Sequence, residues 1–157
     1  MIRPVRSRDR SRGQGLVEFS LVLIPFLLIL MGIVDLGRGI YANNGVAQAA
    51  RELARVTSVH TCDTTAASCV LGTSPETAAV LATQKGLIPG LGGPGSTVTF
   101  TCTDITDTTR SSTDCQSTGA SPSFVKVTVS VPFAVITPLL SMVAPTTLSS
   151  TSHIEIP

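Results

Sequence analysis

The sequence predicts an α+β fold in which a long N-terminal membrane-spanning helix continues into a small extracytoplasmic domain. Three observations carry this prediction: an uncharged apolar run near the N-terminus, a helix-start signal in the middle of the chain, and segments of alternating apolar and polar residues in the second half. The domain is expected to contain one further helix and a three-stranded antiparallel sheet. A chain of 157 residues leaves room for one such module beside the membrane segment.

The membrane-spanning helix is predicted from the run FSLVLIPFLLILMGIV, whose 16 residues carry no charge. The run lies between Glu18 and Asp35. Counted from Gln14 to Val34 the segment has 21 residues, and at the rise of an α-helix it spans roughly 31 Å, which matches the hydrocarbon core of a bilayer. We therefore expect a basic leader (1–13), a transmembrane helix (14–36) and an extracytoplasmic domain (37–157).

The charge distribution predicts the orientation of this helix. Residues 1–12 contain five arginines and one aspartate, a net charge of +4, whereas the rest of the chain has six basic and nine acidic side chains, a net charge of −3. Positive charge collects on the cytoplasmic side of transmembrane helices, so the N-terminus is expected in the cytoplasm and the domain outside it. The same distribution offers no basic surface to a nucleic-acid backbone, and no nucleic-acid partner is expected.

A secretory signal peptide is the alternative explanation of a basic start followed by an apolar run. Three features count against it: the run is longer than a usual signal-peptide core, Glu18 lies near its start, and the following GRGIYANNG lacks a small-x-small cleavage pattern. We therefore expect the segment to remain attached as a membrane anchor.

A short motif, Gly13-Gln-Gly-Leu-Val-Glu-Phe19, lies between the basic leader and the apolar run. It resembles a type IV prepilin leader, which a prepilin peptidase cuts on the cytoplasmic side after a small residue. The resemblance implies cleavage between Gly13 and Gln14. Glu18 and Phe19 then become the fifth and sixth residues of the mature chain.

Glu18 is an unusual residue for a membrane helix. A carboxylate costs about 2.5–3.5 kcal/mol at the centre of such a helix and less near its end, so it is expected to have a partner. In pilin-like assemblies the matching glutamate meets the new α-amine of a neighbouring subunit, which here implies the amine of Gln14. The alternative is a lone carboxylate that reaches the lipid headgroups from the helix end.

The resemblance becomes narrower over residues 13–55. The Gly-x-x-x-x-Glu-Phe motif, a mid-helix proline at Pro25, the Asp-x-Gly-Arg element at 35–38 and the run AARELAR at 49–55 resemble the TadE-like family of pseudopilins of the tight-adherence pilus system. The C-terminal segment FVKVTVSVPFAVITPLLSMVAPTTLSSTSHIEIP also resembles the strands of that family. Residues 56–122 match no motif of this kind.

This resemblance implies a pilin-like fold and a structural function. The protein would be a minor pilin or pseudopilin that assists assembly, initiation or adhesion of a tight-adherence type IV pilus or a related secretion filament. The implied partners are the prepilin peptidase, other pilin and pseudopilin subunits, the inner-membrane assembly platform and the lipid bilayer. The alternative is a membrane-tethered adhesion or binding module that is not incorporated into a filament.

The first helix is expected to continue beyond the membrane over residues 38–58. Arg51 and Arg55, four residues apart, project from one side of it, where they meet a partner, anionic headgroups or only solvent. The opposite, apolar face of this stretch has five expected members: Ile40, Val46, Ala50, Leu53 and Ala54.

A second helix is predicted to start at Ser74, whose side chain can cap it before Pro75 in the first turn. Gly86 is expected to end this helix. Its buried face is predicted to consist of Ala78, Leu81 and Ala82.

Three strands are predicted from the alternation of apolar and polar residues. Their apolar positions are Val98, Phe100 and Cys102 in the first, Val125, Val127, Val129 and Val131 in the second, and Leu148, Ile154 and Ile156 in the third.

Four cysteines, Cys62, Cys69, Cys102 and Cys115, lie in the predicted extracytoplasmic part, where disulfides persist. Three pairings are possible, and the local pairs Cys62–Cys69 and Cys102–Cys115 need the least rearrangement. A zinc site is the rival interpretation, but the usual Cys-x-x-Cys spacing is absent.

No catalytic, cofactor or metal site is predicted. The segment GLGGPG at 90–95 matches GxGxxG formally, yet it follows a predicted helix and precedes a strand, the reverse of a nucleotide-binding context. Asp104, Asp107 and Asp114 do not have the spacing of an EF-hand. The two histidines have no nucleophile motif nearby. The sequence therefore does not favour an enzyme.

Overall fold

The computed structural model describes residues 10–61, 70–110, 115, 122–137, 142 and 146–157, with side chains from residue 13 onward. The fold is α+β, as predicted, with a long apolar N-terminal helix, a second helix and an antiparallel sheet. The elements follow in the order α1 (Arg10–Val59), α2 (Pro75–Leu87), β1 (Thr97–Thr103), β2 (Thr109–Arg110), β3 (Phe124–Pro132) and β4 (Thr147–Glu155).

Helix α1 is continuous over 50 residues and passes through Pro25. A proline removes one backbone donor, and a membrane helix tolerates this loss because neighbouring groups can satisfy the freed carbonyl.

The second half of α1 packs on the sheet and on α2. Of the predicted face, Ile40 is 55% exposed and was wrongly placed, because it lies two residues from Ala42 and so on the other side of the helix. The buried stripe is Ala42, Val46, Ala49, Ala50, Leu53, Ala54 and Thr57.

Helix α2 begins as predicted and ends at Leu87, one residue after the predicted end at Gly86. The Ser74 side chain accepts a hydrogen bond from the Thr77 backbone N–H at 3.1 Å, which is the expected N-cap. This bond satisfies one of the free donors of the first turn.

The predicted buried face of α2 was wrong in two of three positions. Ala78 and Ala82 are exposed, whereas Leu81 is half-buried. The face that packs is centred on Thr77, which is fully buried and lies 3.3 Å, oxygen to oxygen, from Thr57 of α1. A threonine pair therefore occupies the contact between the two helices, and it rotates the alanines toward solvent.

The sheet has four strands, not the three predicted, in the order β2-β1-β3-β4. All three pairings are antiparallel. The additional strand, β2, has two residues, which is too short for an alternating pattern to reveal. The predicted Ile156 is buried but lies one residue past the end of β4.

The inner face of the sheet forms the core with α1 and α2. Val125, Val127, Val129 and Val131 of β3 are buried, as predicted, and they are central because β3 lies between β1 and β4. Leu53 and Val46 of α1 belong to the same apolar cluster. Close packing of this kind is the main source of the domain's stability.

The strand directions give the domain two ends. β3 ends beside the apolar half of α1, because Ile136 and Thr137, just after it, hydrogen-bond to Asp35. The start of the β3–β4 connection, residues 133–137, is therefore at the end nearest the apolar helix, which we call the proximal end, and we call this segment the proximal loop. The β1–β2 turn is at the opposite, distal end, because Thr103 pairs with Phe124 at the start of β3.

The glycine-rich segment 90–95 is a turn between α2 and β1, as its sequence context predicts. Gly90, Gly92 and Gly95 have φ values of 89°, 91° and 83°. A side chain at Gly90 would also bring its Cβ within 2.9 Å of Val131. Glycine is therefore required here for the path of the backbone, since other residues rarely adopt this conformation.

Candidate membrane and assembly interface

The N-terminal half of α1 projects from the domain as an exposed apolar helix. Among the described side chains from Gly13 to Val34 none is buried, and Asp35 is the first buried residue in the described part of the chain. The described part of the chain contains one helix long and apolar enough to cross a membrane. An apolar surface of this extent has to be covered by lipid or by other protein, which is consistent with a single-pass membrane anchor.

The four residues predicted for processing and assembly lie on this projecting helix. Gly13 and Gln14 are in its first turns, and Glu18 and Phe19 follow one turn later, all exposed. Gln14 and Glu18 are four residues apart and therefore share one face. Glu18 has no hydrogen bond or ion pair with any of the residues the structure describes. Its carboxylate is thus available to a group outside this chain.

The Gly13–Gln14 peptide lies within the helix, which begins at Arg10. Gly13 and Gly15 make this end of α1 easy to unwind, because each glycine lowers helix stability by about 1 kcal/mol relative to alanine. A Cβ placed at Gly13 would meet nothing within 4 Å. The peptide is therefore sterically accessible within the described structure.

Asp35 connects the projecting helix to the domain. Its carboxylate is buried and accepts hydrogen bonds from the backbone N–H of Ile136, at 3.0 and 3.1 Å, and of Thr137, at 2.7 Å. The Arg38 guanidinium lies 3.3 Å from the same carboxylate. Hydrogen bonds to an ionised acceptor are stronger than neutral ones, so this contact holds the proximal loop against the helix.

Arg38 also joins the loop to α1 through an aromatic ring. Its guanidinium carbon lies 5.8 Å from the centroid of the Phe133 ring, within the range of a cation–π contact. The side chain remains about half exposed. Arg38 is therefore positioned by both Asp35 and Phe133 while its charge still reaches solvent.

Arg51 and Arg55, the predicted partner contacts, are exposed on α1. Neither forms an ion pair with another described residue. They lie on the side of the helix that faces away from the buried stripe, since Leu53 and Ala54 between them are buried. The structure brings the two arginines together as predicted and does not bring them near Glu18, which is more than 30 residues earlier in the same helix.

The structure forms a disulfide between Cys102 and Cys115, with a Cα–Cα distance of 5.6 Å. This is one of the two local pairs that the sequence favoured, and it removes both cysteines from any zinc site. Cys62 and Cys69, the other local pair, lie outside the described residues.

The aspartates considered as calcium ligands are used within the distal turn. Asp104 accepts hydrogen bonds from the Thr106 hydroxyl at 2.6 Å and from the backbone N–H of Thr106 and Thr108. These bonds lower the pKa of Asp104, with the Thr106 hydroxyl as the largest cause. No cluster of three or more potential metal ligands occurs among the residues described. Asp114 lies outside them.

Asp107 pairs with Lys126 across the distal edge of the sheet. The Lys126 ammonium donates to both carboxylate oxygens, at 3.0 and 2.8 Å. This hydrogen-bonded cation lowers the pKa of Asp107. His153 lies beside the pair, 3.9 Å from Asp107.

The outer face of the sheet is a polar surface. Cross-strand rows run from β1 through β3 to β4, such as Thr99, Thr128 and Thr151. The Thr128 and Thr151 hydroxyls lie 3.0 Å apart. The surface therefore presents hydroxyl groups in regular rows and contrasts with the apolar helix.

The role of Asp35 was missed by the sequence reasoning, which treated it only as the end of the apolar run and as part of a family motif. Its partners lie 101 and 102 residues later in the chain. The only signal in the sequence was an acidic residue at the boundary of a membrane segment, which requires a partner for its charge.

Residues 13–55 match the family model described as TadE-like protein. No curated protein and no solved structure matches this chain. The matched residues cover the exposed apolar half of α1, the Asp35–Arg38 element and the buried stripe up to Ala54. The segment 13–55 of this chain is therefore similar to TadE-like proteins.

Proposed function

We propose that the protein is a minor pilin or pseudopilin of a tight-adherence type IV pilus or a related secretion filament. It is anchored in the inner membrane with its N-terminus in the cytoplasm and residues 37–157 outside. The observation that carries this proposal is the exposed apolar half of α1, which combines the TadE-like match with an unpaired Glu18. Structural subunits that assemble through their helices need such a surface.

Processing is the first step of the proposed function. A prepilin peptidase removes residues 1–13, and the new α-amine is that of Gln14. The peptide is accessible at the start of α1, and the two glycines lower the cost of unwinding it. The apolar helix stays with the mature protein and holds it in the membrane before assembly.

Assembly is the second step. The Glu18 carboxylate of one subunit pairs with the Gln14 amine of a neighbouring pilin or pseudopilin subunit. Both groups lie in apolar surroundings, where an ion pair is favourable only when both partners are present. The inner-membrane assembly platform is the site at which the subunits meet. Arg51 and Arg55, which lie farther along α1, are proposed to contact a partner.

The test is to compare processed protein in membranes with protein recovered in sheared filaments, in cells that lack the native copy. Glu18→Val should be cleaved and retained in the membrane but lost from filaments, because an unpaired buried ammonium costs about 3–5 kcal/mol. Glu18→Asp should restore incorporation in part, since its shorter side chain holds the charge farther from the amine.

Ser20→Val is the matched control for this experiment, because Ser20 lies on the same exposed helix and satisfies its hydroxyl within the helix, on the Leu16 carbonyl. This variant should be incorporated like wild type. If Glu18→Val is incorporated at the wild-type level, the ion-pair role is wrong. Glu18 of the wild type would then be a lone carboxylate that reaches the headgroups.

A second candidate is a membrane-tethered adhesion module, and the hydroxyl rows on the outer face of the sheet favour it. Such a surface can form many hydrogen bonds with a polar ligand. This function does not need processing. It predicts that cells carrying Gly13→Arg, in which the cleavage site is blocked, attach to surfaces as well as wild-type cells do.

A further inference from the structure

We propose that the proximal loop is a second membrane contact: the side chains of Phe133, Val135 and Ile136 enter the lipid interface beside the transmembrane helix. The partner is the bilayer itself. The inference rests on the membrane anchoring in the proposed function and is independent of filament assembly.

The position of the loop is the first argument. Asp35 lies at the outer end of the apolar run and holds the backbone of Ile136 and Thr137 at its own level. Val135 and Phe133 line a groove of about 580 Å³ together with Ile29 and Ile33 of α1. Ile29 is six residues before Asp35, which corresponds to about 9 Å along the helix. The loop therefore lies alongside the last turns of the apolar segment.

The chemistry of the loop is the second argument. From residue 127 to residue 152 the sequence contains no Asp, Glu, Lys or Arg. Ile136 is 62% exposed, and Phe133 and Val135 line the apolar groove beside α1. Large apolar side chains exposed together at one end of a domain mark a contact with lipid or protein. Their continuity with the transmembrane surface favours lipid.

The backbone hydrogen bonds are the third argument. Irregular backbone is excluded from the hydrocarbon region because its polar groups find no partners there. Asp35 satisfies the N–H groups of Ile136 and Thr137, so this part of the loop can approach lipid at lower cost. The same bonds shield the Asp35 carboxylate, which is only 3% exposed.

Arg38 completes the interface. Its guanidinium lies between Asp35 and the Phe133 ring, at the level where the helix leaves the membrane. A long arginine side chain near the end of a membrane helix can reach the headgroup phosphates, and the Phe133 ring adds apolar surface beside it. The membrane contact therefore has an apolar inner part and a cationic outer part.

The sequence contains no tryptophan, so a single introduced tryptophan reports its depth without background. Full-length Ile136→Trp, Ile105→Trp and Leu28→Trp are each reconstituted at low protein density into vesicles of phosphatidylethanolamine and phosphatidylglycerol, with brominated acyl chains as quenchers. Ile105 is the matched control, because it is 76% exposed on the distal turn, at the other end of a strand about 30 Å long. Leu28 lies within the predicted span.

We expect bromolipids to quench Leu28→Trp strongly, Ile136→Trp clearly, with the strongest effect from bromines near the headgroups, and Ile105→Trp not at all. Aqueous acrylamide should show the reverse order. If Leu28→Trp is quenched and Ile136→Trp is quenched only by acrylamide, the loop does not enter lipid and the proposal is wrong.

Two other results are also decisive. Shielding of Ile136→Trp from both quenchers would show that protein covers the loop, and it would overturn the lipid contact. An unquenched Leu28→Trp would instead refute the membrane anchor on which the proposal rests, and the proposal with it.

Discussion

A single side chain, that of Asp35, connects the apolar half of α1 to the folded domain. It is the first buried side chain among those described in α1, and its carboxylate accepts hydrogen bonds from two consecutive N–H groups of the proximal loop. A free carboxylate at a membrane boundary is unfavourable, whereas this one is neutralised by Arg38 and shielded by backbone. The residue therefore aligns the domain with the helix at the end of the apolar run.

Gly72 permits a sharp test of backbone geometry at the residue scale. Its φ is 82°, and a Cβ there would lie 2.6 Å from the Phe100 ring. Gly72→Ala should lower the free energy of unfolding by roughly 2–3 kcal/mol, because strain and displacement of the ring add. Gly86→Ala is the control. Gly86 lies in α2 with nothing near its Cβ position, so this variant should gain about 0.4–1 kcal/mol.

Denaturant unfolding of the two full-length variants in detergent micelles, followed by circular dichroism, measures both effects. Equal stability of Gly72→Ala and wild type would show that the turn before α2 does not approach Phe100 as described.

At the scale of elements, the pair between Asp107 and Lys126 fastens the distal turn to the sheet. The pKa of Asp107 is lowered below its usual 3.8, with Lys126 as the main cause. The stabilising effect of this ion pair is therefore complete above the pKa that Asp107 has in the unfolded chain. It is lost as the pH falls through the lower pKa that Asp107 has in the folded state.

Asp107→Asn removes this charge and keeps a residue that tolerates the local φ of 62°. The variant should unfold at a lower temperature than wild type at pH 6, and the difference should shrink as the pH falls below about 4. Thermal unfolding at a series of pH values measures it. A difference that stays constant down to pH 2 would contradict the ion pair.

The disulfide between Cys102 and Cys115 connects the end of β1 to the segment that leads to β3. Its closed loop is short, so replacing both cysteines with alanine should cost about 3 kcal/mol in the chain-entropy model. Non-reducing peptide mass mapping should find this pair, and we predict Cys62–Cys69 as a second one. A crosslink between the two halves, such as Cys62 with Cys102, would refute the local pairing.

At the scale of the whole molecule, the sequence predicted the features that local patterns encode. The apolar run, the Ser74 cap and the alternating valines of β3 each satisfy a local requirement of their element. Features that depend on distant contacts were not predictable. The Thr57–Thr77 contact orients α2 so that its predicted alanine face points to solvent. The Asp35 contact joins residues about a hundred positions apart.

The residues proposed for the membrane and assembly interface also divide into those that a local pattern indicates and those that only the fold brings into place. The processing and assembly roles of Gly13, Gln14, Glu18 and Phe19 are implied by their resemblance to a prepilin leader, which is a pattern of local spacing, and they stay a prediction. The contact of the proximal loop with α1 was not predictable, because only the folded chain places Ile136 beside the outer end of the apolar helix. An apolar segment between two strands otherwise resembles ordinary core.

Processing followed by incorporation is the central claim, and the intact mass of the native protein in two fractions tests it most directly. The membrane fraction and the sheared filament fraction should both contain a chain that lacks residues 1–13 and starts at Gln14. Gly13→Arg should remain full-length in the membrane and be absent from filaments. Full-length wild-type protein in the filaments, or processed protein that never leaves the membrane fraction, would contradict the account.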